Sequence, residues 1–194
     1  MKAFFDIDTQ LDFMVPGGAL YGPGAEHLIP AVAALNRHAL EHHIPLISTT
    51  DAHPENSEEF RVWPPHCIVD TLGQRKPAAT LLEQRSVLPY EASFDLASLD
   101  IAAPQIIVEK DNLDLFTNPH LPALLTRLNV TECIVYGVFI DYCVKCAIMG
   151  LLRSGRQVFL VTDASAAISS EAGDLVIREF LAAGGSLIAG AKVR

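Results

Sequence analysis

The chain is short of positive charge. Fourteen Lys and Arg stand against 23 Asp and Glu, a formal net charge of -9 over 194 residues. An acidic surface repels phosphate backbones, and no Lys/Arg cluster forms a local basic groove, so nucleic acid is excluded as a partner. Long apolar runs are missing too. Those present are strand-sized, which excludes a membrane span. The opening MKAFFDIDTQLDF carries acids by Asp6, too short and too acidic a stretch for an export signal. Cysteine is sparse: Cys67, Cys133, Cys143 and Cys146 fall below the density of a disulfide-stapled secreted scaffold. Free thiols in a reducing cytoplasm are therefore expected. No internal repeat and no low-complexity tract is found.

What remains is the composition of a well-buried protein, with 50% hydrophobic and 19% charged residues. A length of 194 residues suits one domain, 1–194, with a single core. Short apolar runs alternate with helical periodicity along it. Residues 3–7, 44–50, 105–109, 133–138, 157–162 and 186–189 read as strands. Residues 25–43, with Leu28, Val32, Leu35 and Ala39 on one face, read as a helix. So do 119–128, 142–154 and 171–183. Gly155 and the Gly184-Gly185 pair follow helices, where a left-handed cap residue is wanted. The pattern predicts a three-layer α/β/α fold, with a mostly parallel, Rossmann-like sheet of about six strands. Only 51–90 breaks the rhythm. A loop this long inside a compact domain is usually functional or disordered, and its Trp63 and Asp/His residues favour function.

In a parallel α/β sheet the ligand site lies beyond the C-terminal strand ends. Asp8, Asp51, His53, Lys110 and the segment leading to Cys143 all fall at that edge. Three constellations compete there. Asp8, Lys110 and Cys143 suit nucleophilic catalysis: a thiol attacks as thiolate, a carboxylate takes its proton, and a lysine steadies the charge. A helix beginning at Cys143 adds free backbone N–H groups for an oxyanion. Taken singly, each residue reads as well as a turn cap, a solvated lysine or a packing thiol. Asp51-Ala-His53 with His66, and Glu59 as a possible fourth ligand, suits a zinc, manganese or iron ion with open positions. Cys143-Val-Lys-Cys146 has the spacing of a dithiol redox pair, but lacks its usual flanks. Cys67 and Cys133 read as packing residues, and His27, His38, His42, His43 and His120 as surface or helix residues.

These motifs resemble the nicotinamidase branch of the isochorismatase-like cysteine hydrolases along nearly the whole chain. The resemblance rests on Asp8-Thr-Gln10-Leu-Asp12-Phe13, Gly17-Gly18-Ala19-Leu20, Asp51-Ala-His53, Trp63-Pro-Pro-His66-Cys67, Lys110 and Gly137-Val-Phe139-Ile-Asp141-Tyr-Cys143-Val144. It implies Cys143 as nucleophile, Asp8 as general base and acid, and Lys110 as third member of a triad. It also implies a Phe139/Cys143 oxyanion hole, a cis Val138–Phe139 bond, and Phe13 and Trp63 flanking a ring. A metal on Asp51, His53 and His66, with Glu59 as a possible addition, would bind the ring nitrogen. The expected activity is metal-dependent amide hydrolysis through a thioester, with nicotinamide as the leading substrate; homo-oligomers are expected, because relatives commonly self-associate. Departures are Ile140, Tyr142 and the 111–116 segment, so another small amide or ureido compound is the alternative. A non-catalytic binding protein and a redox protein are the readings from other classes.

Overall fold

The structure, a computed structural model, describes residues 1–193. Seven parallel strands form one sheet: β1 (Lys2–Ile7), β2 (Leu46–Asp51), β3 (Arg85–Leu88), β4 (Gln105–Lys110), β5 (Glu132–Val138), β6 (Gln157–Ala166) and β7 (Ser186–Ile188). Their order is β3-β4-β2-β1-β5-β6-β7. The count corrects the expected six. The additional strand, β3, lies inside the 51–90 segment, whose sequence RSVL is too short and too polar to show an apolar run. It sits at an edge with Arg85 and Val87 exposed, so neither face supplied a period to read.

Side chains alternate between two cores, as the strand period demands. Ala3, Phe5 and Ile7 of β1 and Cys133 and Val135 of β5 face one side. They pack there against α3 (Leu121–Arg127), α4 (Cys143–Arg153) and α5 (Ser170–Ala182). Phe4, Ile134 and Tyr136 face the other side and meet Val32, Leu35 and Ala39 of α2 (Ile29–Glu41). A one-turn helix, α1 (Leu11–Met14), follows β1. The helix expected over 25–43 divides into a 3-10 turn at Ala25–Leu28 and α2, with Pro30 in the first turn of α2, where its missing N–H costs nothing.

Strand order reverses at β1, which pairs β2 on one side and β5 on the other. Helices leave the sheet in opposite directions there, opening a crevice at the C-terminal strand ends. Gly137 lets the two strands close beneath it. It has φ +123°, and a Cβ built on it would fall 2.2 Å from the Ile7 carbonyl oxygen.

Candidate active site

Register delivers the first contact. Parallel pairing of β2 with β4 sets Asp51 opposite Lys110. The Lys110 ammonium hydrogen-bonds Asp51 Oδ1 and donates to the Asn112 carbonyl at 2.9 Å. Its Nζ also lies 2.9 Å from Asp8 Oδ2, an ion-pair contact outside hydrogen-bonding alignment, and 4.0 Å from Cys143 Sγ. Asp8 sits just past β1 in the left-handed region, φ +48°, where the chain turns out of the sheet. Its backbone N–H donates to Thr49 Oγ1 at 3.1 Å, and the Thr49 hydroxyl donates back to Asp8 Oδ1 at 2.6 Å. The Asp8, Asp51 and Cys143 ligand atoms lie within 4.8 Å of one another. The first constellation is thus assembled from β1, β4 and the start of α4, as its strand-end positions implied.

All three groups are buried, and burial governs their charge. It pushes the Cys143 thiol well above its ordinary value, with Lys110 opposing and Asp8 and Asp51 adding to the rise. It raises the Asp8 carboxyl too, against the pull of Lys110. For Lys110, burial works against the charge, but the Asp51 and Asp8 carboxylates outweigh it and hold the ammonium protonated. Asp51 ends below the usual carboxylate range, because Lys110 and His53 overcome its burial. The set therefore holds a neutral thiol beside a carboxyl of raised proton affinity, with one fixed cation.

The peptide bond between Val138 and Phe139 is cis, as the resemblance implied. Turn hydrogen bonds around it run from the Ile140 N–H to the Ala166 carbonyl (2.7 Å) and from the Tyr142 and Val144 N–H groups to the Phe139 carbonyl (2.9 and 3.1 Å). Those bonds leave the Phe139 and Cys143 N–H groups out. Burial raises the other thiols as well, Cys133 up to about 12, and all four cysteines are free. Cys67 and Cys133 are packed away from water, as expected of core thiols. Cys146 lies on α4 with Cys143 and is half-buried.

The long loop is folded back by a parallel bridge between His53 and Ile68, with the His53 N–H donating to the Cys67 carbonyl at 3.1 Å. That bridge brings His66 beside His53, ring centroids 4.7 Å apart. Asp51, His53 and His66 offer ligand atoms all within 4.8 Å of one another. His53 Nε2 is buried without a hydrogen-bond partner, 3.8 Å from Asp51 Oδ2. His66 donates from Nδ1 to the Pro64 carbonyl at 2.8 Å, which leaves its Nε2 lone pair free 4.0 Å from Asp51 Oδ2. Two imidazole nitrogens and a carboxylate oxygen around a common point fit a divalent cation. Glu59 lines the cavity with Oε2 at 3.7 Å from His53 Nε2, but it is not in the group of three whose ligand atoms all lie within 4.8 Å.

Between the two clusters lies a small cavity lined by Phe13, Trp63, Phe139, Tyr142, Leu113 and Ile168, with Asp51, His66 and Cys143 on its wall. Phe13 and Trp63 therefore face the same space. Trp63 meets Tyr142 edge-on at 5.3 Å, and Phe13 meets Phe139 edge-on at 6.2 Å.

Several supporting roles escaped the sequence reading, in which Gln10 and Asp12 stood only as motif residues. Gln10 clamps β2: its Oε1 accepts from the Asp51 N–H at 2.7 Å and its Nε2 donates to the Asp51 carbonyl at 2.8 Å. Asp12 accepts from the Cys67 N–H at 2.7 Å and the Ala19 N–H at 3.0 Å, tying two loops together. Thr49, Ser57 and Asp111 are the others. The polar triplet Ser48-Thr49-Thr50 in a fully buried strand was the available signal for Thr49.

Fold and site together define a parallel three-layer α/β/α scaffold with a thiol, a carboxyl and an ammonium at its topological switch. The chain belongs to the isochorismatase family: the family model described as Isochorismatase domain matches residues 2–192. Among its relatives, the nicotinamidase/pyrazinamidase of Mycobacterium tuberculosis is 26% identical over 97% of this chain and 98% of its own. The nicotinamidase of Escherichia coli is 25% identical over 96% and 93%. The solved pyrazinamidase of Pyrococcus horikoshii, in complex with zinc, superposes with a TM-score of 0.80 at 27% identity, covering 97% of this chain and 98% of that one.

Proposed function

We propose that the chain is a cysteine amidohydrolase that converts nicotinamide to nicotinate and ammonia through a thioester on Cys143. The observation that carries this reading is the meeting of Cys143 with Asp8 and Lys110, the thiol lining an aromatic-walled cavity that Asp51 and His66 also line, with His53 beside them. Cys143 Sγ attacks the carboxamide carbon while its proton passes to Asp8. The Lys110 ammonium steadies the negative charge that this transfer spreads between sulfur and carboxylate. The Phe139 and Cys143 N–H groups, left out of the turn hydrogen bonds, receive the oxyanion. Asp8 then returns the proton to the departing amine, which leaves as ammonia. Asp8 next takes a proton from water as that water attacks the thioester, releasing the acid and the thiol.

Phe13 and Trp63 flank a flat ring. Asp51, His53 and His66 are the metal ligands in this reading, and the bound cation, with zinc as first choice, supplies a coordination point for a ring nitrogen. Leu113 and Tyr142 on the cavity wall belong to the segments that depart from the family pattern, which supports a second reading with another small amide as substrate.

Ammonia release from a panel of nicotinamide, pyrazinamide and aliphatic amides separates the two readings. Cys143→Ala should abolish release, and a nicotinoyl adduct on Cys143 should appear by mass spectrometry in rapid-quench samples. Ammonia release at the native rate by Cys143→Ala would end both readings.

A further inference from the structure

We propose that Asp111 is a positioning residue for the metal ligands: it fixes the His53 ring and so sets the affinity of the site for a divalent cation. The inference rests on the metal-site reading above and goes beyond it, because Asp111 is not a ligand there. Asp111 directly follows Lys110, one step past the end of β4. Its Oδ1 lies 2.5 Å from His53 Nδ1 and accepts from the Ser57 hydroxyl at 3.0 Å. An ionised carboxylate can only accept, so the proton between it and the ring sits on Nδ1. In the neutral ring that ligates a metal, the lone pair is then on Nε2.

That nitrogen points where a cation is needed. It is buried and has no hydrogen-bond partner, with Asp51 Oδ2 at 3.8 Å and Glu59 Oε2 at 3.7 Å. With the ring neutral, its Nε2 lone pair and the neighbouring carboxylate oxygens are all acceptors. A divalent cation resolves that arrangement for all of them at once.

The two histidines are braced differently. His66 is held by the Pro64 carbonyl of its own loop at 2.8 Å, a neutral acceptor two residues away. His53, on the segment after β2, is held by a charged acceptor just past the end of β4. A carboxylate behind a ligating histidine fixes its tautomer and makes the ligating nitrogen a stronger donor to the metal. With its side chain 25% exposed, Asp111 keeps contact with water, so its charge is not costly to the fold.

The test uses the full chain stripped of metal, with zinc affinity measured by competition against a chromophoric chelator and Tm measured on the metal-free forms. Asp111→Ala should weaken zinc binding by about 10- to 100-fold. Asp111→Asn, which keeps a neutral acceptor of the same shape, should fall between Asp111→Ala and the native chain. The metal-free Tm should fall modestly, because two hydrogen bonds to a carboxylate are lost; a merely structural role would lower it equally and leave zinc affinity alone. Zinc affinity in Asp111→Ala within about twofold of native would overturn the inference while leaving the metal site standing. A native chain that takes up no zinc would overturn the metal site and this inference with it.

Discussion

Replacing Thr49 by Val tests how Asp8 is held. The two side chains are nearly the same shape, so β2 should keep its packing while losing one hydroxyl. Two buried hydrogen bonds go with it: the hydroxyl to Asp8 Oδ1 at 2.6 Å and the Asp8 N–H to the hydroxyl at 3.1 Å. The first, to a carboxylate, is worth about 1.5–3 kcal/mol and the second about 0.5–1.5. Their sum, about 2–4.5 kcal/mol, is a fraction of the ~5–15 kcal/mol that a domain holds, so the variant should fold. Asp8 would be held less firmly, because its remaining side-chain neighbours are the poorly aligned Lys110 ammonium and the Cys143 thiol. Misplacing a reacting group by an ångström costs up to about 100-fold, so kcat should fall by roughly 10- to 100-fold with KM little changed. Thr49→Ser restores the hydroxyl and should recover most of the loss. Urea unfolding and steady-state ammonia release measure the two effects. A Thr49→Val protein with native kcat, or a serine variant no better than valine, would refute the reasoning.

Two further outcomes follow from the fold. Gly137→Ala places a Cβ 2.2 Å from the Ile7 carbonyl oxygen in a backbone at φ +123°, so it should cost well over ~1 kcal/mol. An unshifted urea midpoint would show that β1 and β5 do not approach as closely as described. The His38 ring stacks on Phe4 at 5.9 Å and lies 4.2 Å from the His42 ring. Burial, then the neighbouring His42, lowers its proton affinity. The unfolded chain therefore takes up that proton first as pH falls, and stability present above the ordinary histidine range is lost on descending through it. His38→Leu should flatten this loss between about pH 8 and pH 5, read as urea midpoints at both ends. An identical slope in the two proteins would refute it.

The legible part of the site was carried by residues close together in the chain. Asp51-Ala-His53 and Trp63-Pro-Pro-His66 could be read because two residues of extended chain point the same way and two prolines stiffen an approach. Cys143 stood out because an apolar strand ended just before it and a helix began on it. Asp111 and Thr49 have partners that were illegible for the opposite reason. Each acts on a residue dozens of positions away, and nothing next to it in sequence says which one. Asp111 reaches His53 only because β4 lies beside β2, a pairing in which Asp51 meets Lys110. Strand β3 stayed hidden because an edge strand of four residues, half exposed, carries almost no apolar signal.

The sequence by itself determined the layered α/β architecture, the sheet edge on which the chemistry gathers, and the residue types present there. Spacing of apolar residues and the order of strand ends are properties of neighbours along the chain, so they survive without coordinates. Tertiary structure alone decided the strand order, the pairing of Lys110 with both Asp51 and Asp8, the oxygen of Asp8 that faces the lysine, and the histidine nitrogens left bare. Those depend on register and burial. A one-residue slip of a strand turns its side chains to the other face, and a buried group's charge is set by whichever partners the packing brings within reach.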